Sequence, residues 1–326
     1  MTDHKSNEQN ASNNDHPADD HTPASDWFST GFLHEKSWLE RHGFPHWLMA
    51  FLWVVVSFLL FQLVGTLLMV IVMLTVFDTP PTGFDLEIIV EHLDIVFIGN
   101  SLSQILFLGL MTWLITGLST VQGRAAFLRF RADERTLPVS FYTVLLMITI
   151  QPIIWMLSWM NAQVPLPDGY MAFEENQMDM LIDFLTGDHL VWLTIIHVGL
   201  VPSVCEEILY RGYVQRALEK SWGIWAAILI SGLLFGLYHL RLTQVIPLAL
   251  IGVLLAWIVW KSNSIYPAMI GHFVNNGGSV LLATRYPDYM LEQITASELP
   301  PVWLVLISTG ASVMFLRQIH QITRRE

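Results

Sequence analysis

Apolar runs of about 20 residues recur along this chain, each long enough to cross a hydrocarbon layer of roughly 30 Å, and no other feature limits its fold as tightly. The composition agrees. Of 326 residues, 53% are hydrophobic and 13% charged, against roughly 25% charged in soluble domains. The sequence predicts an all-α, polytopic membrane protein of about eight transmembrane helices.

The runs fall at 47–77, 95–118, 141–160, from about 190 to Arg211 and Lys220, then 222–240, 245–260, 264–283 and 302–316. Pro152 marks a kink in the third. Asp78, Asp85, Glu87, Glu91 and Asp94 occupy a loop without Lys or Arg, whereas the next loop carries Arg124, Arg129, Arg131 and Arg135. The connection 161–189 is again acidic, with Asp168, Glu174, Glu175, Asp179, Asp183 and Asp188. By the positive-inside rule the arginine loop and both termini are cytoplasmic, and a bacterial inner membrane is the expected location.

Residues 1–45 are polar and poor in aliphatic side chains, which predicts a disordered tail ahead of a transmembrane domain over 46–326. The stretch 27–42 mixes Trp, Phe and Leu with charges and suits a short surface helix. The N-terminal region has no basic-then-apolar pattern of a cleavable signal. The single cysteine, Cys205, excludes an intramolecular disulfide, and a net charge of -12 without a basic patch argues against nucleic acid as a partner.

Against this apolar background, three short segments carry ionisable groups: Glu206-Glu207 with Arg211, Phe235 with His239, and His272 with Asn276. Each ionisable group in hydrocarbon costs at least a few kcal/mol, so such groups face a polar cavity and serve it. Side chains four apart share a helix face, so Glu207 can pair with Arg211, Phe235 with His239, and His272 with Asn276. These segments fall on the fourth, fifth and seventh expected helices.

Peptide hydrolysis needs a base for water, donors for an oxyanion and an acid for the leaving amine. Glu206 can act as the base, with His239 sharing or aligning the water, while Glu207 is held ionised by Arg211. His272 and Asn276 can donate to the oxyanion. Alternatively Glu206, His239 and His272 can bind a divalent metal such as zinc, although no His-Glu-x-x-His turn is present.

Other readings draw on the same residues. A Glu-Arg pair alone can be structural, His197 and Asn275 read as packing residues, and glutamates beside Cys205 oppose a nucleophilic thiolate. Gly232 and Gly236 form a small-residue helix contact. A proton- or ion-coupled transporter, or a non-catalytic immunity or scaffold protein, can use the same buried groups.

The ordered set Glu-Glu-x-x-x-Arg, Phe-x-x-x-His and His-x-x-x-Asn resembles the CPBP family, the CAAX protease and bacteriocin-processing intramembrane proteases that include type II CAAX prenyl endopeptidases. The resemblance covers about 190–283. It implies a helical membrane endopeptidase in which Glu206 and His239 activate water and His272 with Asn276 supports the oxyanion. It also implies a metalloprotease label, with zinc as the metal, and a peptide or membrane-protein substrate, lipidated in some members. One tension follows from the expected helix ends. If the fourth helix starts at one bilayer surface near Leu190 and Trp222 sits at the other, about 1.5 Å per residue places Glu206, roughly 24 Å from Leu190, near the cytoplasmic face and His239, roughly 25 Å from Trp222, near the opposite one. The fourth helix must then start earlier, or Trp222 must lie beyond the bilayer surface.

Overall fold

A computed structural model describes residues 36–76, 93–186, 191–287 and 298–324. Residues 1–35 lie outside the described residues, and with them most of the expected tail. Within the expected tail, helix α1, Trp38–Arg41, opens on a capping box in which Ser37 and Glu40 exchange side-chain and backbone hydrogen bonds, and Leu39 beneath it is fully buried. Packed chain therefore begins by Lys36, earlier than the expected boundary at 45.

Among the described residues the structure is all-helical, without strands. Helix α2 is His46–Val76 and α3 spans 93–119. After α4, Arg124–Phe127, come α5, Thr136–Thr149, and α6, Gln151–Ala162, which meet at a 47° bend. The bend lies at Ile150, just ahead of Pro152, whose ring and missing N–H disrupt the α-helical hydrogen bonding of that turn. Then follow α7, Asp168–Thr186, α8, Val191–Trp222, α9, Ile224–Tyr238, α10, Val245–Ser262, α11, Tyr266–Arg285, and α12, Val302–Ile322.

A helix stands at each of the eight expected places, but among the described residues five are long and apolar enough to cross a membrane, or six with the bent α5–α6 pair. Helix α9 is short, at 15 residues, and α11 carries His272, Asn275, Asn276 and Ser279 on its polar side. Outward-facing residues are those of a lipid-exposed bundle. On α2, Val55, Leu59, Leu63 and Leu67 are at least half exposed, a patch of the kind soluble monomers avoid.

The connection 161–189, read from sequence as a loop, holds the 19-residue helix α7. Its acidic composition hid it from a search for apolar runs. Glu174 on α7 is buried and accepts hydrogen bonds from the backbone N–H groups of Leu242 and Thr243 and from the Thr243 hydroxyl. Tyr170 donates to Leu240 O at 2.7 Å, and Asn161 both donates to Leu242 O and accepts from Ile246 N–H, each at 2.9 Å. The link between α9 and α10 is thereby fastened on several sides.

Glycine sets the approach of α9 to α10. A Cβ on Gly232 would lie 2.7 Å from Val253 N, and one on Gly252 would lie 2.7 Å from Gly232 O, distances that admit no side chain. The packing role expected of Gly232 is what the structure displays.

Candidate active site

Gly223 is the sole residue between α8 and α9, with φ +82°, a left-handed conformation that glycine adopts without a Cβ penalty. Glu206 lies 17 residues before it and His239 lies 16 after it. Two helices folded back about Gly223 therefore bring these residues level. The result is a separation of 4.0 Å between His239 Nε2 and Glu206 Oε2. At about 1.5 Å per residue, the 32 residues of α8 exceed a layer of roughly 30 Å even when tilted. The two ends of α8 therefore cannot both stand at the surfaces of such a layer, and the premise of the tension falls.

His239 is tied to its own helix, its Nδ1 lying 2.8 Å from Phe235 O. A carbonyl oxygen only accepts, so Nδ1 carries the proton and the neutral ring presents a bare Nε2 toward Glu206. Glu206 is 6% exposed, and its Oε2 is buried without a hydrogen-bond partner among the described residues. The hydroxyls of Tyr210 and Tyr238, whose rings pack edge to face at 5.6 Å, are likewise buried and unpartnered. Both lie within electrostatic reach of the Glu206 carboxylate.

The second glutamate anchors a separate network. Glu207 Oε1 accepts from Arg211 Nη1 at 2.7 Å and from His272 Nδ1 at 2.9 Å. Glu207 and Arg211 are fully buried and His272 nearly so. Arg211 also donates to Gly252 O at 3.2 Å, joining α8 to α10 where glycine permits close approach. Phe235 stands between the two groups. Its ring meets those of His239 and His272 at 5.0 and 5.5 Å, and the Arg211 guanidinium lies 4.4 Å from its centroid.

Asn276 is held by a consequence of sequence. Pro202 has no N–H to offer Val198 O, and Asn276 Nδ2 takes that carbonyl at 3.1 Å. Its Oδ1 accepts from Asn275 Nδ2 at 3.0 Å, and Asn275 Oδ1 in turn accepts from Gln151 Nε2 at 3.1 Å. His197, read as a packing residue, has Nδ1 2.7 Å from Ser101 Oγ.

The sequence-predicted residues thus divide into two adjoining sets: Glu206 with His239, and Glu207 with Arg211 and His272. Asn276 lies one turn beyond His272 on α11. Since Nδ1 of His272 is committed to Glu207, its neutral ring offers Nε2 only as an acceptor. It can donate to an oxyanion only when doubly protonated. The sequence reading passed over Tyr210 and Tyr238, although Tyr210 sits four residues after Glu206 and Tyr238 adjoins His239.

Zinc on Glu206, His239 and His272 needs three convergent ligands. The structure turns His272 toward Glu207, and among the described residues no group of three His, Cys, Asp or Glu side chains is placed to hold a metal ion. These residues do not fit the metal as arranged.

Residues 188–278 match the family model described as Type II CAAX prenyl endopeptidase Rce1-like. No curated protein and no solved structure matches the chain. The resemblance read from the three motifs holds for this segment, which contains all six candidate residues. The segment is similar to CAAX-protease-type domains, and with the apolar helices this similarity supports an integral membrane protein.

Proposed function

We propose that the chain is an endopeptidase that hydrolyses a peptide bond in or beside the bilayer, with water activated between Glu206 and His239. The observation that carries this reading is the 4.0 Å approach of His239 Nε2 to Glu206 Oε2. A water oxygen at ordinary hydrogen-bond distance, about 2.8 Å, can reach both atoms. Glu206 takes a proton from the water as its oxygen adds to the scissile carbonyl. The same proton then passes to the leaving amine as the C–N bond breaks, so Glu206 returns to its carboxylate form.

Glu207, Arg211 and His272 hold α8, α10 and α11 in register around that pair. Asn276 can serve the oxyanion with its second amide hydrogen, and His272 can do so as an imidazolium beside Glu207. The substrate is a peptide or membrane protein that enters from lipid, and lipidation is compatible with that route. The arginine-bearing end of the bundle and both termini lie in the cytoplasm, by the positive-inside rule, and the membrane is the inner membrane of a bacterial cell. The transporter and scaffold alternatives gain no support from the matched domain.

The test compares membrane proteomes of cells making the wild-type chain or Glu206→Gln, reading new peptide termini. A fragment seen only with the wild type, and regenerated by purified wild-type protein from the intact precursor, supports hydrolysis. Identical sets of termini, together with proton-coupled uptake lost in the variant, would sink it.

A further inference from the structure

A polar cavity of about 620 Å³ opens at the arginine-bearing end of the bundle, away from Glu206, lined by Arg131, Asp133, Glu134, Arg135, Lys261 and Asn263. The two turns that supply its lining are tied together. Arg129 and Asn263 both adopt left-handed backbone conformations, with φ of 60° and 51°. Arg129 Nε donates to Asn263 Oδ1 at 3.1 Å, its guanidinium grips Glu219 at 3.0 and 2.9 Å, and Ile265 N–H donates to Arg129 O at 3.0 Å. The loop before α5 is thus stapled to the turn between α10 and α11.

The cations lining this cavity are left over from that scaffold. Among the described residues, Arg131, Arg135 and Lys261 form no salt bridge. Of the two carboxylates, Asp133 is occupied at the start of α5, accepting from Arg135 N–H at 3.0 Å and from the Thr136 hydroxyl at 3.3 Å. With Glu134 it leaves three cations facing two carboxylates, a lining of net positive charge.

Its height along the bundle is marked by tryptophan. Lys261 Nζ lies 4.4 Å from the Trp260 ring centroid, Trp260 packs against Trp225 at 5.4 Å, and Trp225 is 61% exposed. Exposed indoles at a helix end sit at the headgroup level of a bilayer. A cavity with three unpaired cations at that level meets phosphate groups before any other anion. We infer that it binds the phosphate of an anionic phospholipid headgroup.

The full chain is tested in nanodiscs of phosphatidylcholine alone and with added phosphatidylglycerol, by native mass spectrometry for retained lipid and by thermal unfolding. Retained phosphatidylglycerol and a higher Tm are expected for the wild type. The triple variant Arg131→Gln, Arg135→Gln, Lys261→Gln should bind phosphatidylglycerol on the order of 100-fold more weakly, from the attraction of three cations near a charged surface. Lys36→Gln with Arg41→Gln, elsewhere on this end, should leave binding unchanged. Should the triple variant unfold, Arg131→Gln alone, at an exposed position, repeats the comparison. Equal retention by wild type and variant, or equal stabilisation by both lipids, overturns the proposal. Stabilisation by millimolar inorganic phosphate equal to that by phosphatidylglycerol would overturn the lipid source and leave a free-phosphate site.

Discussion

His239 Nε2 faces Glu206 Oε2 across 4.0 Å, the one carrying no proton in its neutral form and the other lacking a hydrogen-bond partner among the described residues. General acid–base catalysis by a positioned side chain contributes about 10²–10⁴-fold. Glu206→Gln and His239→Ala should each lower turnover of an identified substrate by that order while leaving Tm within a few degrees. The double variant should lose little beyond the worse single one, because the two act on one water.

Glu207 and Arg211 make a different kind of pair. Both are fully buried at 2.7 Å, and removing one partner of such a pair costs about 3–5 kcal/mol by stranding the other charge. Arg211→Ala and Glu207→Ala should therefore reduce the yield of folded protein and its Tm together with activity. Replacing both by apolar residues of similar volume should recover part of that stability, less the cost of leaving His272 Nδ1 and Gly252 O without their partners, and no activity, as thermal unfolding in detergent would record.

Gly252 tests the α9–α10 contact. Its added Cβ would meet Gly232 O at 2.7 Å and Gly232 Cα at 2.8 Å, both backbone atoms that cannot move aside. Gly252→Ala should separate the helices and weaken the Arg211 bond to Gly252 O, giving a loss of about 1–3 kcal/mol typical of overpacking. An unchanged Tm would show that the two helices approach less closely.

The buried carboxylate of Glu174 holds the segment that follows His239. Glu174→Ala strands the N–H groups of Leu242 and Thr243, at about 1–3 kcal/mol for a buried unsatisfied group. Hydrogen exchange over 240–246 should quicken, and turnover should fall more than substrate binding. Unaltered exchange there would remove α7 from any part in positioning His239.

Near the N-terminus, Glu40 is held down to about 2 from an ordinary 4.5, chiefly by the Ser37 backbone N–H and also by His46 and Lys220. A depressed carboxylate contributes stability that is fully present above about 4.5 and is lost as pH falls toward about 2. The Tm difference between wild type and Glu40→Gln should thus be present at pH 7 and close between those values. Because Glu40 is partly exposed, solvent screens the effect and the difference should be small. A difference that widens in acid would contradict this assignment.

The site was legible where charge interrupted an apolar run, since Glu206, Glu207, Arg211, His239 and His272 have no reason to be there unless grouped. Their partners were less legible. Nothing in the spacing of His272 reveals that Nδ1 turns to Glu207 on another helix, and Tyr210 and Tyr238 pass for packing residues because a phenol differs from Phe by one polar atom. Eight helix positions could be read from hydrophobicity. Helix α7 could not, since it is acidic and holds its place through Glu174, Tyr170 and side contacts that periodicity does not encode. The apparent separation of Glu206 from His239 came from treating both ends of the fourth helix as membrane boundaries.

The single-residue turn at Gly223 makes chain length itself a constraint on chemistry. One residue inserted between Glu207 and Trp222 swings the carboxylate by about 100° and 1.5 Å, while the imidazole stays in place. An insertion in either limb therefore parts the two groups, so the stretch from Glu206 to His239 tolerates a change of side chain better than a change of length.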